Sequence, residues 1–189
     1  MPTWLIVLII ILVIVAAVAA YLAVRFGQRR RTEQLRGQFG PEYDRAVTER
    51  GDAGGAEADL VGRRRRRQQL DIRPLDSDAR AKYADAWRAT QTQFVDRPGD
   101  AVQEANRLVI EVMRERGYPV DDFERRAADV SVDHPTVVDN YRAAHAIAEA
   151  NVAGTATTED LRRALVHYRA LFGELLEDGE EPRRSEEMP

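Results

Sequence analysis

The sequence predicts an all-α chain, with one N-terminal transmembrane helix followed by an antiparallel, helical-bundle-like domain. Three observations predict it. Residues 5–24 read LIVLIIILVIVAAVAAYLAV, without a charge or a strong polar group. From residue 78 onward, apolar residues recur at three- and four-residue spacing, the period of a helix with one buried face. No alternating run is long enough for a strand, ADVSVDH being too short and too polar.

The apolar run comes first. A hydrocarbon core about 30 Å thick takes about 20 helical residues, the length of 5–24. Trp4 and Tyr21 lie near its ends, where amphipathic rings favour the interface. Arg25, Arg29, Arg30 and Arg31 follow it, whereas only Met1, Pro2 and Thr3 stand before Trp4. Arginines on one flank place that flank inside, so the expected location is the cell membrane, with the N-terminus outside and the C-terminal domain cytoplasmic. The alternative is export after signal cleavage, with Ala16, Ala17, Ala19 and Ala20 imitating a cleavage site. The missing basic n-region, the length of the apolar run and the RFGQRRR that follows it argue against cleavage. Residues 1–31 are read as a membrane anchor with a basic flank, and the lipid bilayer as the first partner.

Residues 32–75 are read as a helical or flexible basic connector. Leu35, Phe39, Tyr43 and Val47 recur every fourth residue and stripe one helix face, interrupted by Gly40-Pro41. The stripe packs onto its own domain or neighbour, or else it forms a partner-binding face. Glu42, Asp44 and Glu49 argue against its lying on lipid. Gly51, Gly54 and Gly55 mark a break, after which a second helical stretch over 56–72 contains Arg63, Arg64, Arg65, Arg66 and Arg67. Five successive residues sweep about 400° around a helix, so this run surrounds the helix instead of facing one way. It is a possible polyanion contact, but pairing with the acids of the chain itself ranks first, lipid second and nucleic acid last. No aromatic residue lies between Tyr43 and Tyr83 to give bases a stacking platform. Arg63 would stand roughly 57 Å beyond Val24 if the intervening chain were all helix, so lipid contact requires the chain to fold back. Leu70, Ile72, Pro74 and Leu75 predict an extended strap over the core, and Ser77 or Asp78 a cap for the next helix.

Residues 76–176 predict the helical domain. A helix over 78–95 carries Tyr83, Trp87, Phe94 and Val95. One over 98–116 carries Ala101, Val102, Ala105, Leu108, Val109, Val112 and Met113, and ends at Gly117. A short helical turn over 121–128 holds Phe123. A third long helix starts near 133–135 with Val137, Val138, Tyr141, Ala144 and Ala148 inward. The fourth, over 158–177, is capped by Thr157 and striped by Leu161, Ala164, Leu165, Tyr168, Leu171, Phe172 and Leu175. Residues 177–189 predict a disordered acidic tail.

Composition narrows the function. There is no cysteine, which excludes disulfides, thiolate metal sites and a cysteine nucleophile. Residues 1–75 carry 13 arginines against 8 acids, and residues 76–189 carry 15 basic residues against 24 acids. An acidic second half repels phosphate, so a nucleic-acid partner is disfavoured. His134, His145 and His167 lack metal-ligand spacing, and no metal or cofactor is expected. Acid pairs such as Asp121-Asp122 and Glu159-Asp160 stand at helix starts, where the dipole favours them. No phosphate loop, dinucleotide turn or nucleophile elbow occurs, so no catalytic residue is assigned and the chain is read as no enzyme. The expectation is a membrane-tethered interaction or scaffold protein with another protein as partner. The alternatives are an anchored ligand binder or enzyme, with a cleft combining His145, Tyr141 and an arginine, and a nucleic-acid tether.

The segments LRGQFGPEYDRAV, LDIRPL, FVDRPGDAV, RGYPVDDF and SVDHPTVVDNYRAAH resemble a family of uncharacterised single-span membrane proteins of high-GC Gram-positive bacteria. The resemblance covers roughly residues 33–176. It implies architecture and location, and no activity, substrate or catalytic residue.

Overall fold

The computed structural model describes residues 3–177, apart from the side chains of residues 3, 5–11, 13 and 24. Among the described residues the chain is all helix, in the order α1 (Thr3–Phe39), α2 (Pro41–Arg50), α3 (Ala53–Arg67), α4 (Ser77–Gln93), α5 (Pro98–Glu115), α6 (Phe123–Asp133), α7 (Val138–Val152) and α8 (Thr158–Glu177). Glu177, where the expected tail begins, is instead the last residue of α8, and the rest of the expected tail, 178–189, lies outside the described residues.

The helices α4 to α8 form a helical bundle around one core. α8 packs on both α5 and α7, and α4 packs on α5. Apolar residues at helical spacing meet in its centre: Val102, Val109 and Val112 of α5, Tyr141 and Ala144 of α7, and Ala164, Tyr168 and Leu171 of α8 are all fully buried. Trp87 of α4 stacks on Phe172 of α8 at 4.5 Å between ring centroids. Local signals set the boundaries. Pro98 begins α5, where its missing N–H costs nothing. Thr157 and Asp160 cap α8 reciprocally: Asp160 N donates to Thr157 Oγ1, and Thr157 N donates to Asp160 Oδ2 at 2.9 Å.

Several expectations shift. The cap of α4 is Asp76, whose carboxylate accepts from Ala79 N at 2.7 Å, in place of Ser77 or Asp78. Val95 lies past the end of α4 and is 83% exposed. The turn around Phe123 grows into α6, which absorbs ADVSVDH up to Asp133 and buries Ala127 and Val130. α7 begins at Val138 and not near Pro135, because residues 135–137 form a turn after His134. The strap is extended as expected: Arg73 N donates to Arg116 O at 3.0 Å, and Leu75 is buried.

A second, smaller core joins the end of α1 to α2 and α3. Leu35, Phe39, Tyr43, Ala46, Ala56 and Leu60 bury one another, and Val132 of α6 packs against them. Gly40, at φ +48, turns the chain from α1 into α2. Asp52 caps α3 by accepting from Gly55 N at 2.6 Å. The stripe proposed as a partner-binding face is therefore used inside the chain. Leu35, Phe39 and Tyr43 are at most 2% exposed, and Val47 is half-buried. The physical reason is that α2 and α3 fold back on α1 and present their own apolar faces to it.

α1 continues without a break from Thr3 to Phe39, so the apolar segment and the start of the connector are one helix. Its exposed side chains include Leu12, Ile14, Val15, Val18, Leu22 and Phe26. Among the described residues no helix is long and apolar enough to cross a membrane. The expected span 5–24 includes nine residues whose side chains lie outside the described ones.

Candidate functional site

The chemistry of the described residues concentrates where α3 meets its neighbours. On a helix, residues 63, 66 and 67 share one side, while 64 and 65 turn away from it. The arginine run divides along that line.

Arg63 faces inward. Its Nη1 donates to Glu42 Oε1 at 2.6 Å, and its Nε donates to Asp59 Oδ2 at 2.8 Å. Glu42 is 1% exposed and also accepts two bonds from Arg142 of α7, each at 2.7 Å. This is a bidentate arginine–carboxylate pair with a second guanidinium closing the remaining side. Arg66 Nε stands 3.6 Å from Asp129 Oδ1 of α6. Arg67 pairs with Asp133, which also accepts from Tyr118 Oη at 2.5 Å. Burial and the Asp133 charge push the Tyr118 phenol well above its ordinary range. Arg45 of α2 reaches Asp139 of α7 at 3.1 Å. These contacts fasten the small core to the bundle. The first-ranked expectation for the run, pairing with acids of the chain, holds for Arg63, Arg66 and Arg67.

Arg64 and Arg65 take the other direction. With Arg31 and Gln34 of α1, and with Leu35 and Val61, they line an open groove of about 340 Å³ between α1 and α3. No acidic residue lines it. Arg31 also pairs with Glu57, its Nε 3.9 Å from Oε2, while Glu57 Oε1 accepts from Thr32 Oγ1 and Tyr43 Oη. α3 thus folds back along the end of α1.

The interface residues of the expected anchor stand along α1. Trp4 and Tyr21 are exposed, and Arg25 Nη1 donates to Tyr21 Oη at 2.9 Å. Arg25, Arg29 and Arg30 are exposed as well. A recess beside Tyr21, Arg25, Gln28, Arg29 and Arg36 is lined by α1 alone, so no second element converges on it.

The histidines separate. His134 is buried, with Nδ1 at 3.1 Å from Glu174 Oε2. His167 Nδ1 lies 2.9 Å from Asn140 Oδ1. His145 stacks on Phe123 at 3.6 Å between centroids and edges a cleft of about 390 Å³ with Arg45, Glu124, Arg142 and Glu149. Burial holds the His145 imidazole below its ordinary range. Tyr141 does not line this cleft; its hydroxyl accepts from Arg126 Nε. Among the described residues no group of three or more His, Asp or Glu side chains could hold a metal ion.

Sequence reading missed Glu42 as a structural centre, having counted it only as an acid unsuited to lipid. The signal was its position: three residues after Phe39 and four before Ala46, Glu42 falls on the buried face. A carboxylate there demands a cationic partner. Compared with protein-family models, curated proteins and solved structures, the chain matches none.

Proposed function

We propose that this chain is a single-span membrane protein without catalytic activity that holds a helical interaction domain against the cytoplasmic face. One observation carries the reading. α1 is a single helix whose described apolar side chains from Leu12 to Phe26 are exposed and whose last turns, through Leu35 and Phe39, are built into the small core. An exposed apolar helix surface in water is costly, at roughly 25 cal/mol per Å², and a bilayer removes that cost. Arg25, Arg29, Arg30 and Arg31 then fall at the inner interface. Because no flexible joint separates the anchor from the small core, the bilayer would set the orientation of the whole domain. The resemblance to single-span proteins accords with this reading and adds no activity.

The test is fractionation of cells expressing the full chain. Alkaline extraction should leave it in the membrane pellet, and protease added outside intact cells should spare residues 25–189. Recovery of the protein outside the cell with a new N-terminus near Tyr21 would sink the proposal. A ligand-binding reading has the His145 cleft in its favour. There, however, Arg45 and Arg142 are already committed to Glu49, Asp139 and Glu42. A nucleic-acid tether loses support because Arg63, Arg66 and Arg67 face acids of the chain.

A further inference from the structure

We infer that the groove between α1 and α3 holds the phosphate of an anionic phospholipid from the adjoining leaflet, with Arg31, Arg64 and Arg65 as its ligands. The inference rests on the membrane reading above and adds to it a site and a ligand class.

Arg64 and Arg65 line a groove without a carboxylate in its wall, beside Arg31, whose Nε lies 3.9 Å from Glu57 Oε2. Like charges gathered in this way repel one another unless an anion lies between them. The same helix shows the alternative arrangement one turn away, where Arg63 and Arg67 are met by Glu42, Asp59 and Asp133. Arg64 and Arg65 have no such partner among the described residues. A planar guanidinium fork suits phosphate oxygens, and Gln34 adds an amide donor. Half-buried Val61 adds an apolar surface beside the charges, over the buried Leu35, which suits an amphiphile better than a free ion.

Height selects the source of the phosphate. Along α1, Arg31 stands about 10 Å and Leu35 about 16 Å beyond Val24. Headgroups occupy roughly 5–8 Å outside each face of the hydrocarbon core. Arginine stems extend toward that layer while their heads stay polar. Arg64 and Arg65 line the same groove as Arg31, at the outer edge of this layer. A nucleic acid would require a wider free basic face, and three of the five arginines are already paired.

The test uses the full chain in nanodiscs made from equal parts phosphatidylcholine and phosphatidylglycerol. The lipid retained on the purified protein is measured by mass spectrometry. Wild-type chain should retain phosphatidylglycerol preferentially, and R64Q/R65Q should lose that preference by roughly thirtyfold, the equivalent of about 1 kcal/mol per arginine near an anionic surface. R64K/R65K should keep most of it, since point charge survives. R162Q/R163Q, on exposed α8 positions, should behave as wild type and excludes a general charge effect. Unchanged preference in a folded, bilayer-retained R64Q/R65Q chain overturns the inference and leaves the membrane reading intact. Tight binding of inorganic phosphate in phosphatidylcholine-only discs, abolished by R64Q/R65Q, also overturns it, by making the site one for a free anion. A chain that leaves the discs in an alkaline wash overturns the membrane reading, and this inference with it.

Discussion

Arg142 of α7 grips Glu42 of α2 with both terminal nitrogens, at 2.7 Å to each carboxylate oxygen, across 100 residues of sequence. Arg63 of α3 adds a third contact at 2.6 Å. Three helices from two cores thus meet on one buried carboxylate. Glu42→Ala would leave two largely buried guanidinium groups facing each other without an anion. Removing one member of a buried ion pair costs about 3–5 kcal/mol, so the variant should melt well below wild type when circular dichroism follows the full chain in detergent micelles. Replacing Glu42, Arg63 and Arg142 together by Leu, Met and Met should recover most of that loss. If Glu42→Ala melts with wild type, the carboxylate does not join the two cores.

Asp129 gives a pH signature. Burial raises its carboxyl above the ordinary aspartate range, against the opposing pull of Arg66, Arg125 and Arg63. Its Oδ1 is buried without a hydrogen-bond partner. A raised pKa in the folded state means that folding takes up a proton, so this group's contribution to stability falls as pH rises from the unfolded value through the folded one. Asp129→Asn should therefore raise the melting temperature at neutral pH. The gap should close as the buffer is acidified toward the ordinary aspartate range. A gap that widens on acidification would reverse the sign assigned to Asp129.

Gly117 and Gly154 separate two kinds of glycine requirement. Both have positive φ, at +95° and +71°. A Cβ at Gly117 would lie 2.4 Å from the Asp71 carbonyl oxygen, whereas one at Gly154 meets nothing within 4 Å. Gly154→Ala should cost only the left-handed backbone term, about 1–2 kcal/mol. Gly117→Ala should cost more, because the strap must also move. Guanidinium unfolding midpoints would rank the two, and equal midpoints would mean that the strap yields freely.

Trp87 should be a large single contributor to the bundle. It is 6% exposed and stacked on Phe172. Trp87→Ala should cost about 3–5 kcal/mol. Trp87→Phe should cost far less, since the ring contact survives and the buried, unpartnered indole N–H disappears. Urea titrations compare them, and a phenylalanine variant as unstable as the alanine one would show that the stack itself contributes little.

What was legible in the chain came from local physics. Apolar spacing gave the faces of α5 and α8, while Pro98, Thr157 and Gly117 marked their ends, because capping and φ preference act within a few residues. The same periodicity found the stripe of Leu35, Phe39 and Tyr43 but could not say what covers it, since a buried face and a docking face have the same spacing. Tertiary structure decided that α2 and α3 cover it. It also decided how the arginine run divides. A helix fixes only that Arg63 and Arg67 point one way and Arg64 and Arg65 others; whether acids or open space await them depends on helices 21 to 66 residues away. Charge pairing acts through space, so the sequence supplied the cations and the fold chose which of them remain open to the groove.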